Sequence, residues 1–262
     1  AYYPGALIEA LTIVLGLSSS GSTPRTVEAM LTARQRGAAT VALTNTEGSA
    51  MTDVADHTLM ISAVRRGWPT QASTAAMAAE AQLAAALGQG LGRPDLPAEL
   101  GTGCLAGHVA QALAATKEPA RIIGRRLSGT PLLHLCGAGP GYAAAKFGAA
   151  KVKECASGHA IAHRLEEVHH YTSTKRGETM VVIAPTGPSR ARAADTLRQV
   201  RAWGGRSIAV LSNGDTALGD LADDAIFLPQ VPEELAALTF TIPLQYLALH
   251  MALAEFDGAD NA

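Results

Sequence analysis

Short apolar runs alternate with longer amphipathic segments along the chain, and polar or glycine-rich turns separate them. The run Leu11–Leu17 is apolar throughout, which is typical of a strand buried on both faces of a parallel sheet. Apolar positions at helical spacing follow Pro24, a residue favoured in a first helical turn, and Gly37 marks the end of that helix. Further strands are predicted at Ala39–Leu43 and Asp56–Ser62. Strand, helix and strand in this order predict a doubly wound α/β fold.

The same pattern returns in the second half of the chain, after a helical middle. An Ala-rich helix is predicted at Thr70–Leu87, a proline-bearing connector at Leu91–Leu100, and linker helices at Cys104–Ala115 and Pro119–Leu127. Later strands are predicted at Pro131–Cys136, Met180–Ala184, Ser207–Leu211 and Ala225–Leu228, with helices at Tyr142–Cys155, Ala191–Trp203 and Ala236–Ala254. The shared unit exceeds about 100 residues, which predicts a duplicated domain and not a solenoid. We place the boundary between residues 115 and 130, and predict two doubly wound α/β domains, residues 1–118 and 119–262, with mostly parallel sheets flanked by helices.

Composition narrows the classes of function. Hydrophobic residues are 48 % of the 262 and aromatic residues only 4 %, which indicates an aliphatic core and excludes a disordered chain. The 21 basic against 23 acidic residues leave none of the basic excess typical of nucleic-acid binding. Three cysteines without a C-x-x-C pair favour a reducing compartment. The most hydrophobic stretch, Ala236–Leu253, is interrupted by Pro243, Gln245 and His250, so we expect a cytoplasmic protein with no membrane partner.

Hydroxyl side chains and a glycine fill the predicted loop Ser18–Thr23, between a strand and the start of a helix. The first amides of a helix are unpaired and carry the positive end of the helix dipole, so they attract anions. Ser18, Ser20 and Thr23 can each donate a hydrogen bond to a phosphate oxygen, and Gly21 lets the backbone approach it. The alternative is an ordinary Ser/Thr helix cap. No Walker lysine follows, which disfavours a nucleotide P-loop.

The second half opens with the glycine loop Gly137–Gly141. It reads G-x-G-x-G and not the G-x-G-x-x-G of dinucleotide-binding domains, and no ribose-binding acid is evident about 20 residues later. The loop therefore indicates either a nucleotide site or a tight turn that packs a helix on the sheet.

Carboxylates and imidazoles follow that loop. Glu154 closes an Ala-rich helix, where a pocket could raise the pKa of a carboxyl group and make it a base. His169 and His170 add groups that titrate near neutral pH, although a solvated helix end and two surface histidines would explain the same residues. His159 and His163 lie four residues apart and could bind zinc on one helix face, but no H-E-x-x-H motif is present and we predict no metal.

Three segments of the chain resemble SIS (sugar isomerase) domains. The family's first phosphate-binding unit, with its loop S-x-S-G-x-[ST], is similar to LGLSSSGSTPRTVEAMLTARQRGAATVALTN. The second unit of double-SIS proteins is similar to KFGAAKVKECASGHAIAHRLEEVHHY, and their C-terminal helix to TIPLQYLALHMAL. By pattern, the nearest relatives are the isomerase half of glucosamine-6-phosphate synthases and the fructosamine-6-phosphate deglycases. The resemblance covers nearly the whole chain in the family's order and implies the SIS fold in both domains.

The resemblance implies that part of the chain holds a phosphosugar. Ser18, Ser20 and Thr23 would hold the phosphate. Ser19 would line the loop, and Ser73, in the family's A-S-T segment, would touch the sugar.

Catalytic roles follow from the same resemblance. Glu154 matches the glutamate that ends the family's K-x-K-E helix, and Glu167 and His170 match its E-x-x-H, whose histidine serves the site of a neighbouring subunit. The implied chemistry is enolisation, in which a base moves a proton between C1 and C2 of an open-chain hexose 6-phosphate while the histidine helps to open the ring. The resemblance implies neither a metal nor an organic cofactor. The Ala- and Leu-rich helices Thr70–Leu87 and Ala236–Ala254 offer more apolar face than two small domains need, so we expect a homodimer at least, with His170 near the site of the partner subunit.

The chain departs from the family pattern at several points. It begins after the family's first strand and G-x-G-[ST]-S loop, Tyr171 replaces the glycine after the family histidine, and the loop Ala184–Pro188 is not S-x-S-G. It ends at Asp260–Ala262 without a lysine-bearing tail and lacks a glutaminase domain, so amidotransfer from glutamine is not expected of this chain alone. Three functions stay open. The first is an isomerase or deglycase acting on a simple or aminated hexose 6-phosphate. The second is a non-catalytic phosphosugar sensor, which these departures favour. The third is a nucleotide-binding protein, which only the glycine loop favours.

Overall fold

The computed structural model describes residues 8–64, 70–93, 97–100, 103–171 and 174–256. The chain folds as two compact units, Ala1–Leu83 and Ala84–Ala262. Each unit is built on a parallel β-sheet, as the alternation of strands and helices predicts. Residues Asp260–Ala262, with which the chain ends without the family's lysine-bearing tail, lie outside the described residues.

The first unit contains a three-stranded sheet in the order β1-β2-β3. Its strands are β1 Ile13–Leu17, β2 Ala39–Thr44 and β3 His57–Met60, and its helices are α1 Pro24–Gln35, α2 Ala50–Val54 and the start of α3 Thr70–Gly90. On one face of the sheet, Met30 of α1 packs on Ala42 and Met51. On the other face, Leu43 packs with Ala76 of α3. Because the strands are parallel, the loops that follow them lie at one edge of the sheet.

The second unit contains a five-stranded sheet in the order β5-β4-β6-β7-β8, in which every pair is parallel. The strands are β4 Leu132–Gly137, β5 His159–Arg164, β6 Thr179–Ala184, β7 Arg206–Ser212 and β8 Asp224–Leu228. The helices are α4 Cys104–Leu127, α5 Pro140–Cys155, α6 Glu167–His170, α7 Arg190–Ala202, α8 Thr216–Gly219 and α9 Glu233–Glu255. Helices α5 and α7 follow the neighbouring strands β4 and β6 and pack on opposite faces, so the topological switch point lies between these two strands.

Two hydrophobic cores cover the faces of the five-stranded sheet. Helices α4, α5 and α9 pack around Phe240 on one face, and α7 buries Leu197 and Val200 on the other. Gly148 of α5 allows a close approach of α9, because a Cβ there would lie 2.7 Å from a side-chain carbon of Leu244. Among the described helices, α9 alone has the length and apolarity of a membrane span, and 72 % of that stretch is buried in this core. Burial on nearly every side explains why α9 is apolar almost all round.

Helix α4 and strand β5 differ from the sequence prediction. Helix α4 is continuous through Pro119, where the sequence predicts two separate linker helices. A proline inside a helix costs about 3 kcal/mol, and the burial of Ala112, Ile123 and Leu127 in the core offsets that cost. Strand β5 is not predicted at all, because it lies at the sheet edge and its short apolar run is flanked by polar residues at both ends.

Helix α4 also spans the expected domain boundary at residues 118 and 119. It packs against α9 and β8 of the second unit, and the compact units divide after Leu83. The apolar face of α4 is buried in the core of the second unit, and the division into domains 1–118 and 119–262 stays a prediction.

Both units contain the order strand, helix, strand, short helix and strand, in β1 to β3 and in β6 to β8. The same side-chain contact recurs in each. Asp56 Oδ2 accepts hydrogen bonds from the amide (2.9 Å) and hydroxyl (2.8 Å) of Thr40. Asp223 Oδ2 accepts them from the amide (2.7 Å) and hydroxyl (3.2 Å) of Ser207. The loop after β1 and the loop after β6 therefore occupy corresponding places in the two units.

Candidate functional site

The loop Ser18–Thr23 joins β1 to α1 at the carboxyl edge of the first sheet. The Ser18 amide donates to the Leu43 carbonyl at 3.2 Å, which anchors the start of the loop on β2. The hydroxyl oxygens of Ser18 and Thr23 lie 2.8 Å apart. Ser18 is buried, whereas Thr23 is exposed. The fold therefore brings together two of the predicted phosphate-binding hydroxyls.

Ser19 and Ser20 are held in different ways. The Ser19 carbonyl accepts hydrogen bonds from the Asn45 amide and the Thr46 hydroxyl, both at 3.1 Å. These bonds pin the backbone of the loop to the segment that follows β2. The exposed Ser20 hydroxyl accepts a hydrogen bond from the Ser22 hydroxyl at 2.9 Å. Its own proton remains able to turn toward a ligand.

Thr23 decides whether the loop is only a helix cap. It occupies the N-cap position of α1, but within the described residues its side chain makes no capping hydrogen bond. Its hydroxyl lies beside Ser18 instead. The first turn of α1 carries no acidic side chain, so the positive end of this helix is not neutralised by its own residues. Thr23 is therefore not held in place by a side-chain cap of α1.

Gly21 gives the loop its shape. Its φ of +62° is a conformation that favours glycine, and a Cβ there would lie 2.0 Å from Ser49 Oγ. The Gly21 carbonyl accepts a hydrogen bond from the Met51 amide at 2.9 Å, so the loop crosses directly over the start of α2. Ser49 is buried, and among the described residues its hydroxyl has no hydrogen-bond partner. Ser49 is not recognisable from the sequence as a neighbour of the loop, because only the folded chain brings it beside Gly21.

Ser73 lies in the first turn of α3 and is half-buried. Its neighbour Ala72 is buried, and Ala76 of the same helix packs on Leu43 of β2. The fold thus keeps Ser73 in the unit that carries the loop Ser18–Thr23, on a helix packed against the central strand of its sheet.

Glu154 lies in the last turn of α5, in the second unit. Its Oε2 accepts a hydrogen bond from Lys151 Nζ at 2.7 Å. The Lys151 side chain is only 5 % exposed, whereas that of Glu154 is 45 % exposed. The Lys151 ammonium also lies 5.2 Å from the centre of the Phe147 ring. A buried cation therefore holds a carboxylate at the surface, and the signal for it in the sequence is a lysine three positions before the glutamate.

Two cysteines of this unit, Cys136 and Cys155, do not supply a nucleophile. Burial, with the negative charge of Glu154, raises the pKa of the Cys155 thiol to about 11. Burial also raises the pKa of Cys136. All three cysteines of the chain are free, with Cys104 exposed. Because the thiolate is the reactive form, Cys136 and Cys155 are inert near neutral pH.

The Glu-x-x-His segment forms the one-turn helix α6 directly after β5. Glu167 Oε2 accepts a hydrogen bond from the Arg164 amide at 3.1 Å, which folds the carboxylate back onto the end of β5. His170 is exposed, and its ring centre lies 6.5 Å from that of Tyr171. His169 instead lies against α7, where its Nε2 is 2.9 Å from the Thr196 hydroxyl. Of the two adjacent histidines, His170 is the accessible one.

The predicted site residues thus fall into two groups, one in each unit. The phosphate loop and Ser73 belong to the first unit, and Glu154, Glu167 and His170 belong to the second. In the described part of the second unit, no hydrogen bond joins Glu154 to the Glu-x-x-His segment.

The structure does not support a helical zinc site at His159 and His163. Both residues lie on strand β5, where a spacing of four residues separates them by about 13 Å. Within the described ranges, no group of three or more His, Cys, Asp or Glu side chains has an arrangement that could hold a metal ion.

The glycine loop Gly137–Gly141 is a tight turn between β4 and α5. A Cβ on Gly137 would lie 2.4 Å from the carbonyl carbon of Gly141, and one on Gly141 would lie 2.8 Å from the Ile183 carbonyl oxygen. The glycines therefore let the start of α5 pack directly on β6. This agrees with a tight turn, one of the two roles that the sequence leaves open for the motif.

Comparisons with known proteins agree with this geometry. The family model of the SIS domain matches residues 2–87 and 132–255. The glutamine–fructose-6-phosphate aminotransferase (isomerizing) of Pyrococcus horikoshii is 30 % identical over 259 residues, which are 97 % of this chain and 43 % of that protein. The chain therefore spans less than half the length of the curated relatives it matches.

Two solved structures show the same fold. The C-terminal domain of glucosamine-fructose-6-phosphate aminotransferase from Francisella tularensis has a TM-score of 0.80 and 24 % identity, covering 93 % of this chain and 71 % of that one. Tagatose-6-phosphate ketose/aldose isomerase from Escherichia coli has a TM-score of 0.67 and 20 % identity, covering 97 % and 72 %. The predicted α/β fold with parallel sheets and the resemblance to SIS proteins are both confirmed. The chain belongs to the SIS domain family, and the family matches it in two segments.

Proposed function

We propose that this chain binds a hexose 6-phosphate and moves a proton between C1 and C2 of its open-chain form, as an aldose–ketose isomerase or a deglycase. The observation that carries the proposal is the Lys151–Glu154 pair, in which a buried ammonium holds a half-exposed carboxylate at the end of α5. Two relatives are named as an isomerizing aminotransferase and a ketose/aldose isomerase, and these activities support the same reaction class.

The phosphate is held by the loop Ser18–Thr23 in this proposal. Ser18, Ser20 and Thr23 supply hydroxyl donors, and the start of the twelve-residue helix α1 supplies unpaired amides and a positive dipole end. The loop donates neutral hydrogen bonds to a charged acceptor, which makes each bond stronger than one between neutral groups. Ser19 lines the loop, and Ser73 contacts the sugar.

Glu154 is the base. Its carboxylate takes the proton from one of the two carbons, the C–H electron pair forms the enediol double bond, and the carbonyl oxygen gains a proton. The proton then returns to the other carbon, whose hydroxyl loses its own proton and becomes the new carbonyl group. In a deglycase the same transfer turns the C1 amine into an imine, which water hydrolyses to release the amine. The sugar is therefore neither oxidised nor reduced overall, and the chemistry needs no metal or organic cofactor. Lys151 fixes the position of the carboxylate through its 2.7 Å hydrogen bond. His170, with Glu167 in the same turn, moves the proton that opens the sugar ring.

Solvent exchange tests the reaction directly. The chain is incubated in deuterated buffer with glucose, fructose, glucosamine and fructosamine 6-phosphates, and the C1 and C2 protons are followed by NMR. We expect exchange with at least one of them, and a melting temperature raised by the 6-phosphates but not by the free sugars. A ligand at 100 times its Kd stabilises the folded state by about 2.7 kcal/mol. Stabilisation without exchange would favour the sensor, and neither effect would contradict both proposals.

We further propose a cytoplasmic homodimer in which His170 serves the site of the partner subunit. The exposure of His170 and of Tyr171, which is 69 % exposed, leaves this end of α6 accessible to a second chain. Glu154→Gln and His170→Ala proteins are each expected to be nearly inactive. Mixed after reversible dissociation, they should regain roughly a quarter of the wild-type rate, because half of the dimers are mixed and each of these has one intact site. Absence of recovery in a sample shown to contain mixed dimers would contradict the shared site.

A further inference from the structure

Three polar side chains are hydrogen-bonded in a row across the α7 face of the second sheet. His134 lies on β4, His163 on the neighbouring strand β5, and Glu178 just before β6. His134 Nδ1 is 3.0 Å from His163 Nε2, and His134 Nε2 is 3.1 Å from Glu178 Oε2. The ring centres lie 5.2 Å apart and the ring planes are inclined by 29°, which fits two imidazoles that meet edge to edge through this hydrogen bond. His134 is only 4 % exposed, so the middle of this row is closed to solvent.

The hydrogen-bond partners set the position of each proton. A carboxylate only accepts, so His134 donates to Glu178 through Nε2–H. A neutral His134 then accepts at Nδ1, and His163 donates to it through its own Nε2–H. The Nδ1 atom of His163 is therefore the one ring nitrogen in the row that can take up a proton. Glu178 is itself held in place, because its Oε2 also accepts a hydrogen bond from the Lys175 amide at 2.7 Å.

Hydrophobic packing alone does not require polar side chains at these positions. The other side chains of β4 are apolar, and the strand ends at Gly137. Leu133 and Leu135 belong to the hydrophobic core on the other face of the sheet. His134 shares its face with apolar residues, among them Cys136 and Met180. Burying an imidazole there is tolerated only when its hydrogen bonds are satisfied, whereas a leucine would fill the space without that requirement. The row is therefore a specific arrangement of polar groups in an apolar setting.

The His163 end of the row is next to Arg164, which contacts the Glu-x-x-His segment. Strand β5 ends at Arg164, and the Arg164 amide binds the carboxylate of Glu167. Burial and the neighbouring His134 lower the pKa of His163, whereas the negative charge of Glu167 raises it. The charge of Glu167 therefore acts on His163, and Glu167 lies in the same helical turn as His170.

We propose that Glu178, His134 and His163 form a hydrogen-bonded relay, and that His163 is a positioning residue for Glu167 and the helical turn that carries His170. The half-buried Glu178 carboxylate fixes the orientation and tautomer of both imidazoles. A proton taken up at His163 Nδ1 is stabilised by Glu178 through His134, and it attracts Glu167 toward the end of β5. The relay itself is independent of the reaction, and only its effect on turnover rests on the proposed function.

Histidine NMR on the ¹⁵N-labelled full chain tests the relay without any substrate. In the wild type at neutral pH, both His134 and His163 should be Nε2–H tautomers. Glu178→Gln keeps an acceptor but removes the charge, so both tautomers should persist while the titration midpoint of His163 falls by about half a pH unit or more. Glu178→Ala removes the acceptor and should mix the tautomers of His134. Glu166→Gln is the control, since Glu166 pairs with Arg192 on α7 and does not contact the relay. His134 and His163 signals no more affected by the Glu178 variants than by the control would overturn the proposal.

Turnover tests the positioning role. His163→Gln keeps a side-chain N–H that can donate to His134, whereas His163→Leu cannot. We expect His163→Leu to lower kcat by up to about a hundredfold with little change in KM, because a misplaced group slows the reaction without touching the phosphate loop. His163→Gln should recover most of that loss and remove the contribution of His163 to the pH profile. Equal kcat in both variants and the wild type would refute positioning. A wild type inactive on every phosphosugar would refute the proposed function and leave the NMR result valid.

Discussion

Replacing Glu154 by glutamine is expected to slow exchange of the C1/C2 proton by about 10²- to 10⁴-fold, the usual loss when a general base is removed. Glutamine has the same shape and its amide oxygen can still accept the hydrogen bond from Lys151 Nζ, so the buried ammonium keeps a partner. The amide has no useful basicity, and the proton on carbon then has no positioned acceptor. Binding of the phosphate should be unchanged, because Glu154 lies in the last turn of α5 and not in the loop Ser18–Thr23.

The measurement separates chemistry from binding. Proton exchange is followed in deuterated buffer, and phosphosugar binding is followed by calorimetry on the same preparations. Glu234→Gln is a matched control, since Glu234 is an exposed carboxylate in the first turn of α9. It should leave both rate and affinity at wild-type values. Exchange that continues at the wild-type rate in Glu154→Gln would remove this residue from the role of base.

The double substitution Ser20→Ala and Thr23→Ala should weaken hexose 6-phosphate binding by a few kcal/mol. Each hydrogen bond to a charged acceptor contributes roughly 1.5–3 kcal/mol, so Kd should rise by on the order of a hundredfold or more. The double substitution removes the hydrogen bond within the loop between the Thr23 and Ser18 hydroxyls. Thr23 does not cap α1, and the exposed Ser20 hydroxyl contacts only the neighbouring Ser22. The melting temperature of the free protein should therefore change little.

Calorimetric titration with hexose 6-phosphates measures this loss. Thr32→Ala is the control on the same helix, because the Thr32 hydroxyl donates to the Glu28 carbonyl of its own helix and should not affect binding. Inorganic phosphate provides a second ligand, whose binding should weaken in parallel if the loop holds the phosphate group. An unchanged Kd for both ligands in the double variant would make Ser18–Thr23 a structural turn without a binding role.

Local pattern was enough to predict the elements whose apolar residues run without interruption. The strands β6 and β7 are buried along their whole length, and such runs are recognisable without knowing their neighbours. The loop Ser18–Thr23 and the helix end at Glu154 are equally local, because their hydroxyls, glycine and charges are contiguous in the chain. The pairing of Lys151 with Glu154 belongs to this class too, since residues three apart meet on one helix face.

Elements at the margin of the sheet or against a large core were not predictable in this way. Strand β5 has only three apolar residues, between a histidine at its start and a histidine and an arginine at its end, and the spacing of its histidines suggested a helix. Its strand conformation comes from pairing with β4, which the local pattern does not encode. Pro119 indicated a helix break, yet α4 continues because the core buries the residues on both sides of it.

The contacts that define the two sites beyond their motifs come from the tertiary structure alone. Ser49 meets Gly21 because β2 and α2 return beneath the loop, and His134 meets Glu178 and His163, which are 44 and 29 residues away. Local pattern determines which face of an element an amino acid buries, and here it determined the fold class and the residues able to bind phosphate or take a proton. Side chains distant in the chain meet according to strand order and register, which depend on the packing of the whole unit. That packing decided which polar groups became partners.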